Sequence, residues 1–438
     1  MRSYFYKLLF RYLSFFISSN QFVISIDPIN NLIHSKFALK RAAFSKGNDA
    51  KLISSDSIEI DQISDFSPDH IMINGSLHYE HDIQELLQRI RFQCSHETRL
   101  IITYYSALWK PVLKIATLLG LRSQSNEENW ISPEDISNFL LLAEFDEVHT
   151  VSRILFPVKI PFISDFINRY IAPLPFFNLF NLLNIVIARP SGCMAFDDQP
   201  SVSVVVAARN EEGNIDELIR RLPAMGPDDE LIFIEGGSKD KTWQKINEVM
   251  RENVAESNII AAQQDGTGKG DAIRKGFSLA TKDILMILDA DLTVPPEDLP
   301  KFYEAIVSGK GEYINGSRLV YPMEKKAMRF FNILGNKFFA LSFSSILGQR
   351  FKDTLCGTKV LSRKNYKKLA ENRNYFGDFD PFGDFDLIFG STKLALKTIE
   401  VPILYRERLY GDTNISRWKH GLILLRMLIF AARKIKFI

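Results

Sequence analysis

The chain has only three cysteines, Cys94, Cys193 and Cys356. They are odd in number and lack metal-ligand spacing, which excludes a disulfide framework and points to a reducing compartment. No stretch reaches the roughly 18 uninterrupted apolar residues that a membrane helix needs. Tyr4 to Ile17 is interrupted by Lys7 and Arg11, and Gly421 to Ala432 by Arg426. The first stretch is followed by no clear small-residue cleavage site, so it is expected to be a core or surface helix rather than a signal peptide. Excess charge is also missing: a net charge of +2 gives no overall argument for nucleic-acid binding, and any basic surface must be local. Internal repeats and low-complexity tracts are absent.

With 438 residues there is length for two or three domains. The irregular stretch RPSGCMAFDDQPS separates two regions of different character. This predicts a domain over residues 1–188, a linker over 189–200, a second domain over 201–416 and a basic amphipathic helix over 417–438.

The most informative segment is ILMILDADLT, an apolar run ending in Asp289 and Asp291. Such a run reads as a strand buried on both faces of an α/β sheet, and its carboxyl end is where these sheets bind ligands. Two acids there need a neutraliser. A divalent cation, Mg²⁺ or Mn²⁺, takes hard oxygen ligands and shares them with substrate phosphates. The alternative is a pair of solvated acids capping the next helix through VPPEDL. Two earlier strand–turn–helix units, SVSVVVAARNEEGNIDELIRRL and ELIFIEGGSKDKTWQKINEVM, predict a mainly parallel sheet covered on both faces. Arg209, Asn210 and Glu211 end the first strand. Glu235, Ser238 and Asp240 follow the second. These residues should converge with Asp289 and Asp291.

The motifs VVVAARNEEGNI, IEGGSKDKT, GKGDAIRKGF, ILMILDADL, DTLCGTKVLSR, FGDFDLIFGSTKLALKTIEVP and RERLYGDTNI, in this order, resemble family 2 glycosyltransferases of the dolichyl-phosphate mannosyltransferase type. The resemblance covers nearly all of Ser201 to Ile438. It implies a GT-A-like fold, a nucleoside diphosphate sugar as donor, and transfer with inversion to an acceptor, polyprenyl phosphate or another membrane-linked molecule.

On that reading Ala207, Arg209, Asn210, Glu211, Ser238, Asp240 and Asp289 line the donor pocket, and Glu235 accepts from a base imide or ribose hydroxyl. Otherwise the GGSKD segment is a plain turn with Ser238 or Asp240 as helix cap. Asp291 is the expected direct metal ligand, with Asp289 on ribose or on a metal-bound water, so both belong to the metal site. Arg406 and Arg408 suit the diphosphate, since a guanidinium makes paired charged hydrogen bonds; the alternative is a solvated basic loop. DGTGKGDA lacks P-loop spacing because Gly270 follows Lys269, although Lys269 can still touch phosphate. Asp384 and Asp386 stand where such enzymes carry an acidic pair near the acceptor, as a general base, as orienting groups or as metal ligands; a structural turn is the alternative.

RFFNILGNKFFALSFSSILGQRF is either a buried helix hairpin or a greasy surface for a lipid acceptor. With the basic carboxyl terminus it predicts peripheral contact at the inner face of the cytoplasmic membrane, and no nucleic-acid partner.

The first region, through FVISID, HIMINGSLHYEHDIQELLQRI, LIITYYSALW and NWISPEDISNFLLLAEFDEV, resembles the later part of a class I S-adenosylmethionine-dependent methyltransferase. Asp27 would then hold the cofactor ribose. No glycine precedes Gly47, so the Gly-x-Gly loop is missing. A truncated, degenerate Rossmann-like α/β domain is expected. The rival functions are a nucleotide-sugar-binding scaffold without turnover and residual methyl transfer in the first region.

Overall fold

The structure, a computed structural model, describes residues 2–18, 21–26, 60–120, 129–192, 196, 198–252, 258–322, 330–377, 380, 382–408, 410 and 417–438, those of 2, 330–331 and 417–420 by backbone only. Asp27 and residues 411–416, which include most of the YGDTN turn, lie outside the described residues. Two compact units form, residues 1–193 with 435–438 and residues 194–434.

The first unit is built on five strands: β1 (Val23–Ile26), β2 (His70–Asn74), β3 (Arg99–Tyr105), β4 (Phe145–Arg153) and β5 (Leu183–Pro190). Their order is β1-β2-β3-β5-β4. The first three are parallel, and β5 is inserted antiparallel to both β3 and β4. One face of the sheet, with Ile71, Ile73, Leu100 and Ile102, packs on α2 (Ile83–Phe92) and α4 (Pro133–Leu142). Helix α3 (Lys110–Leu118) lies between those two in sequence. The expected amino-terminal helix is α1 (Arg2–Phe16), and it belongs to the core: Leu8, Leu9 and Leu13 are fully buried, Tyr12 lies under the Arg153 guanidinium, and Phe16 meets His149. Arg189 and Pro190, read from the sequence as the start of a linker, continue β5 instead. The Arg189 side chain, buried, binds Asp146 at 2.9 Å and keeps the strand paired through its last residue.

The second unit has seven strands: β6 (Val202–Ala208), β7 (Glu230–Glu235), β8 (Asn258–Gln263), β9 (Ile284–Asp289), β10 (Tyr313–Ser317), β11 (Lys359–Ser362) and β12 (Thr398–Pro402). The order β12-β10-β11-β9-β6-β7-β8 is parallel except at β11, which runs against both neighbours. The mainly parallel sheet is thus present, as an α/β fold. Its helices are α5 (Ile215–Arg221), α6 (Thr242–Glu252), α7 (Lys269–Leu279), α8 (Leu299–Val307), α9 (Phe330–Leu347), α10 (Arg363–Glu371), α11 (Asp384–Lys393) and α12 (Arg417–Ala431). Register aligns the strand ends: Ala207 is opposite Asp289, and Ala208 is opposite Glu235. Buried Glu230 fastens the other end by accepting from the Ser203 hydroxyl at 2.6 Å and from Thr281 N–H at 2.7 Å.

The Phe-rich segment is one helix, α9, rather than a hairpin. Ala340, Phe343 and Leu347 are buried, whereas Leu334, Phe338 and Leu341 face outward.

Helix α7 lies close on β6 and β7 because Gly276 has no side chain. A Cβ there would stand 2.3 Å from Val205 Cγ1 and 3.3 Å from Ile234 Cγ1. Alanine normally stabilises a helix interior by about 1 kcal/mol over glycine, but overpacking a core costs about 1–3 kcal/mol. Here the clash should win. Gly276→Ala is expected to lower the urea unfolding midpoint; an unchanged or higher midpoint would show that the helix can move away from β6.

Candidate active site

The carboxyl ends of β6, β7 and β9 form one cluster of charge. Past β6 the chain turns through Asn210, whose φ of 57° is left-handed and better tolerated by asparagine than by most residues. Asn210 N–H donates to the Ser238 hydroxyl at 3.0 Å, and its side-chain oxygen accepts from Lys239 N–H at 2.8 Å. The β6 and β7 turns are thereby locked together. Asp240 completes the lock, accepting from Thr242 N–H at 3.0 Å and Glu212 N–H at 3.4 Å. Asp240 thus holds the turn that leads into α6.

Glu235 is buried and its carboxylate is engaged locally, by Ser238 N–H and by Gln263 Nε2 at 3.1 Å. Burial would raise its pKa, but these hydrogen bonds hold it below the usual range. Ala207 is half-buried next to Asp289, and Arg209 is exposed.

Asp289 and Asp291 are both neutralised by cations of the same unit. Lys269 Nζ lies 2.6 Å from Asp289 Oδ1, and Arg408 Nη2 lies 2.6 Å from Asp291 Oδ2. Burial would raise the pKa of Asp289; Lys269, with Arg318 and Lys359 behind it, lowers it instead. Burial would likewise lower Lys269, but Asp289 and Asp384 hold its ammonium above the ordinary value. The other oxygen of Asp291 accepts from Thr293 N–H at 3.1 Å and from its hydroxyl at 2.7 Å, closing a turn in which Leu292 takes a φ of 55°. A left-handed leucine is a costly conformation. It aims Asp291 at Arg408.

Arg408 also reaches Glu211 Oε1 at 3.3 Å, while Asn214 donates to the other oxygen at 2.6 Å. Burial raises Glu211 to about 7 despite Arg408 and Asn214, with Asp291 and Asp289 adding to the rise. The chain around Arg408 is a strap over the cluster: Arg406 N–H bonds Thr293 O at 3.0 Å, and the Tyr410 ring covers Gly213, where a Cβ would stand 2.5 Å from it. The expected arginine pair is split. Only Arg408 enters the cluster; Arg406 is exposed and acts electrostatically on Glu297, because the chain here is irregular rather than a regular strand, which would put residues two apart on one face.

Asp384 and Asp386 are separated as well, here by their positions on α11. Asp386 is tied to Arg373 at 2.9 Å. Asp384, almost fully buried, faces the Nζ of Lys359 at 3.6 Å, and its Oδ1 has no hydrogen-bond partner among the described residues. Sequence reading assigned no role to Lys359. It is completely buried at the start of β11 and donates to Cys356 O at 2.6 Å and Asn315 Oδ1 at 3.0 Å. A lysine opening an apolar strand was the available signal. Arg318 and buried Asp353, paired in two bonds of 2.6 and 2.9 Å, were also missed.

The glycine cluster brings the pieces together. Gly270 meets Gly383 backbone to backbone, since a Cβ on Gly383 would lie 2.7 Å from Gly270 Cα. Lys269 is thereby carried toward Asp384. Gly357 performs a similar service for Asp289, whose Oδ2 would lie 2.0 Å from a Cβ there. Asp380 caps α11, accepting from Phe385 and Asp386 N–H groups at 2.8 Å each; burial and Asp384 raise it to about 6.

Among the described residues no group of three or more His, Cys, Asp or Glu is arranged to hold a metal. A magnesium-like ion does not require one, since it keeps several waters and commonly uses one or two carboxylates with substrate phosphates. Asp289 and Asp291 fit that donor set, with their present cation partners standing where positive charge is needed.

Because Glu211 titrates near 7 in the fold and near 4.5 in a free chain, its ionisation opposes folding. The cost is absent below about pH 4.5, grows as pH rises to about 7, and is full above that. Glu211→Gln is expected to be more stable than the parent at pH 8, by up to about 3 kcal/mol, and equal to it near pH 4. Urea unfolding at both pH values checks this, and equal stability at pH 8 would count against the buried-charge account.

Residues 203–369 match the family model for Glycosyl transferase family 2. The chain is 28% identical over 222 residues to undecaprenyl-phosphate 4-deoxy-4-formamido-L-arabinose transferase of Enterobacter sp. (strain 638), covering 49% of this chain and 62% of that protein. It is 34% identical over 121 residues to dolichol-phosphate mannosyltransferase of Pyrococcus furiosus, covering 27% and 33%. The chain thus spans less than two thirds of these relatives. Among solved structures it is similar to Mycobacterium tuberculosis glucosyl-3-phosphoglycerate synthase in complex with Mn²⁺, UDP and glucosyl-3-phosphoglycerate, at 18% identity and a TM-score of 0.39, covering 54% of this chain and 80% of that one.

Proposed function

We propose that the second unit is a glycosyltransferase that moves a sugar from a nucleoside diphosphate sugar to a lipid-linked acceptor, polyprenyl phosphate being the best fit, with inversion. One observation carries the reading: Glu211, Asp289 and Asp291 converge with Lys269 and Arg408 at the carboxyl edge of a parallel sheet, where α/β sheets bind ligands. The match of residues 203–369 and the named activities of the two sequence relatives support it.

Asp289 and Asp291 would hold Mg²⁺ or Mn²⁺, which supplies electrophilic stabilisation of the departing diphosphate. Arg408, now shared between Glu211 and Asp291, is placed to transfer its paired hydrogen bonds to the diphosphate oxygens. Lys269 is held charged and rigid by Asp289, as a second contact for that anion. The Asn210, Ser238 and Asp240 lock fixes the turns that would frame the nucleoside. Asp384 is the better candidate of the two acids for the acceptor side, since Arg373 occupies Asp386. For a phosphate acceptor, already an anion, Asp384 would orient rather than deprotonate.

The acceptor's lipid is expected along α9 and α12, which pack together and leave apolar surface outward at Leu334, Phe338 and Leu341 on α9 and at Leu422, Leu425 and Ile429 on α12. Among the described residues no helix is long and apolar enough to cross a membrane. Peripheral contact at the inner face of the cytoplasmic membrane follows from this reading. For the first unit, the antiparallel β5 between β3 and β4 supports a degenerate methyltransferase-like domain.

A thermal-shift panel of UDP- and GDP-sugars with and without Mn²⁺ identifies the donor. With that donor, Asp291→Asn is expected to cut transfer by on the order of a hundred-fold or more and to abolish the Mn²⁺-dependent shift, leaving the melting temperature of the free protein near that of the parent. Full activity would remove Asp291 from the site. Stabilisation by donor without any transfer or hydrolysis in the parent would favour a binding scaffold.

Arg408→Ala should weaken UDP or GDP binding more than binding of the bare nucleoside, and Arg406→Ala should leave both nearly unchanged. Isothermal titration distinguishes these cases; equal losses for nucleoside and diphosphate in Arg408→Ala would place this arginine away from the diphosphate.

A further inference from the structure

Helix α3 of the first unit is folded inside out. None of its side chains is buried, and Leu108, Val112, Ile115 and Leu119 are all exposed at intervals of four, three and four residues, with Leu118 beside them at 86% exposure. That interval is the apolar stripe of an amphipathic helix, which a protein in water turns toward its core. Here the stripe faces out.

The chain between β4 and β5 does the same. Phe162, Phe166, Phe176, Leu179 and Phe180 are exposed, Phe162 to 89%. Phe162 also adopts a φ of 62°, an outlier for a bulky residue, so the backbone is strained to hold a ring in solvent. The segment is nonetheless well built: Asn181 Nδ2 donates to Ser152 O and Ala172 O, each at 2.9 Å, and Asn168 side-chain oxygen accepts from Phe156 N–H at 2.9 Å. Trp109 Nε1, just before α3, donates to Phe180 O at 2.8 Å, and Ser106 N–H to Leu182 O at 2.8 Å. The two stretches therefore form one continuous apolar face.

We infer that this face is a membrane-docking surface for an anionic lipid leaflet. Charge selects that occupant. The two stretches carry Lys110, Lys114, Lys159 and Arg169, all exposed, against one acid, Asp165, which accepts the Tyr4 hydroxyl at 3.0 Å. Exposed lysines alternating with Phe and Leu match the headgroup–acyl boundary, where cations meet lipid phosphates while apolar side chains enter the acyl layer. A protein partner is the poorer fit, because lysine is depleted from such interfaces. The inference is independent of the glycosyltransferase reading.

The test is co-sedimentation of the full chain with vesicles of phosphatidylcholine alone or mixed with phosphatidylglycerol, at low and high salt. Three variants accompany the parent: Ile115→Glu/Leu118→Glu/Leu119→Glu, Phe162→Ser/Phe166→Ser/Phe176→Ser, and Leu422→Glu/Leu425→Glu in the second unit. Every replaced side chain is exposed, so all should melt within a few degrees of the parent. The parent should prefer phosphatidylglycerol vesicles and be partly released by salt, and each of the first two variants should lose affinity at least ten-fold. Three results would overturn the inference. The parent could fail to bind either vesicle; the first two variants could bind as the parent does while the third does not; or they could change only the oligomeric state, which would make the face a protein interface.

Discussion

Everything in the second unit depends on how it holds acids at the ends of buried strands. Asp289, Asp291, Glu211, Asp353 and Asp384 lie in or beside a sheet covered on both faces, where an unpaired carboxylate would cost several kcal/mol. Each has an internal cation: Lys269 for Asp289, Arg408 for both Asp291 and Glu211, Arg318 for Asp353 and Lys359 for Asp384. Such pairs add little net stability compared with apolar packing. Their effect is that acids and bases stand close together in fixed geometry. Among them Glu211 is pushed up to about 7, chiefly by burial and despite Arg408 and Asn214.

That geometry is inherited from the topology. Parallel register brings Asp289 opposite Ala207 and Glu235 opposite Ala208, so three turns leave the sheet at one level. Side-chain hydrogen bonds between the Asn210 and Ser238 turns then remove their independent freedom. Glycine sets the remaining distances. Gly276 lets α7 settle on the sheet, and Gly270 against Gly383 brings the amino ends of α7 and α11 together, which is why Lys269 and Asp384 belong to one electrostatic group.

The first unit follows the opposite economy. Its sheet packs on α2 and α4, and α1 meets side chains of β3 and β4, yet α3 and the chain between β4 and β5 leave their apolar side chains in solvent. A domain able to bury Tyr12 and Arg153 together has not run short of core. The outward apolar surface is a separate feature of the fold.

The sequence by itself determined the α/β class, the strand–turn–helix units of the second region and the identity of most charged residues in the cluster. Local pattern was sufficient, because a buried strand must be apolar and must end where polar groups begin. It also indicated that residues 1–188 differ from the rest. What tertiary structure alone decided is which charged groups meet. Arg406 and Arg408 are two residues apart, a spacing that a regular strand would put on one face, but in the irregular chain after β12 one reaches Asp291 and the other stays exposed. Asp384 and Asp386 are separated in the same way by the turn of a helix. Lys359 stood out in the sequence only as a lysine opening an apolar strand; its partners Asp384 and Asn315 come from distant parts of the chain, and only the fold names them. The outward stripe of α3 was equally hidden: periodicity shows that a helix has an apolar face, and only packing shows whether that face is covered.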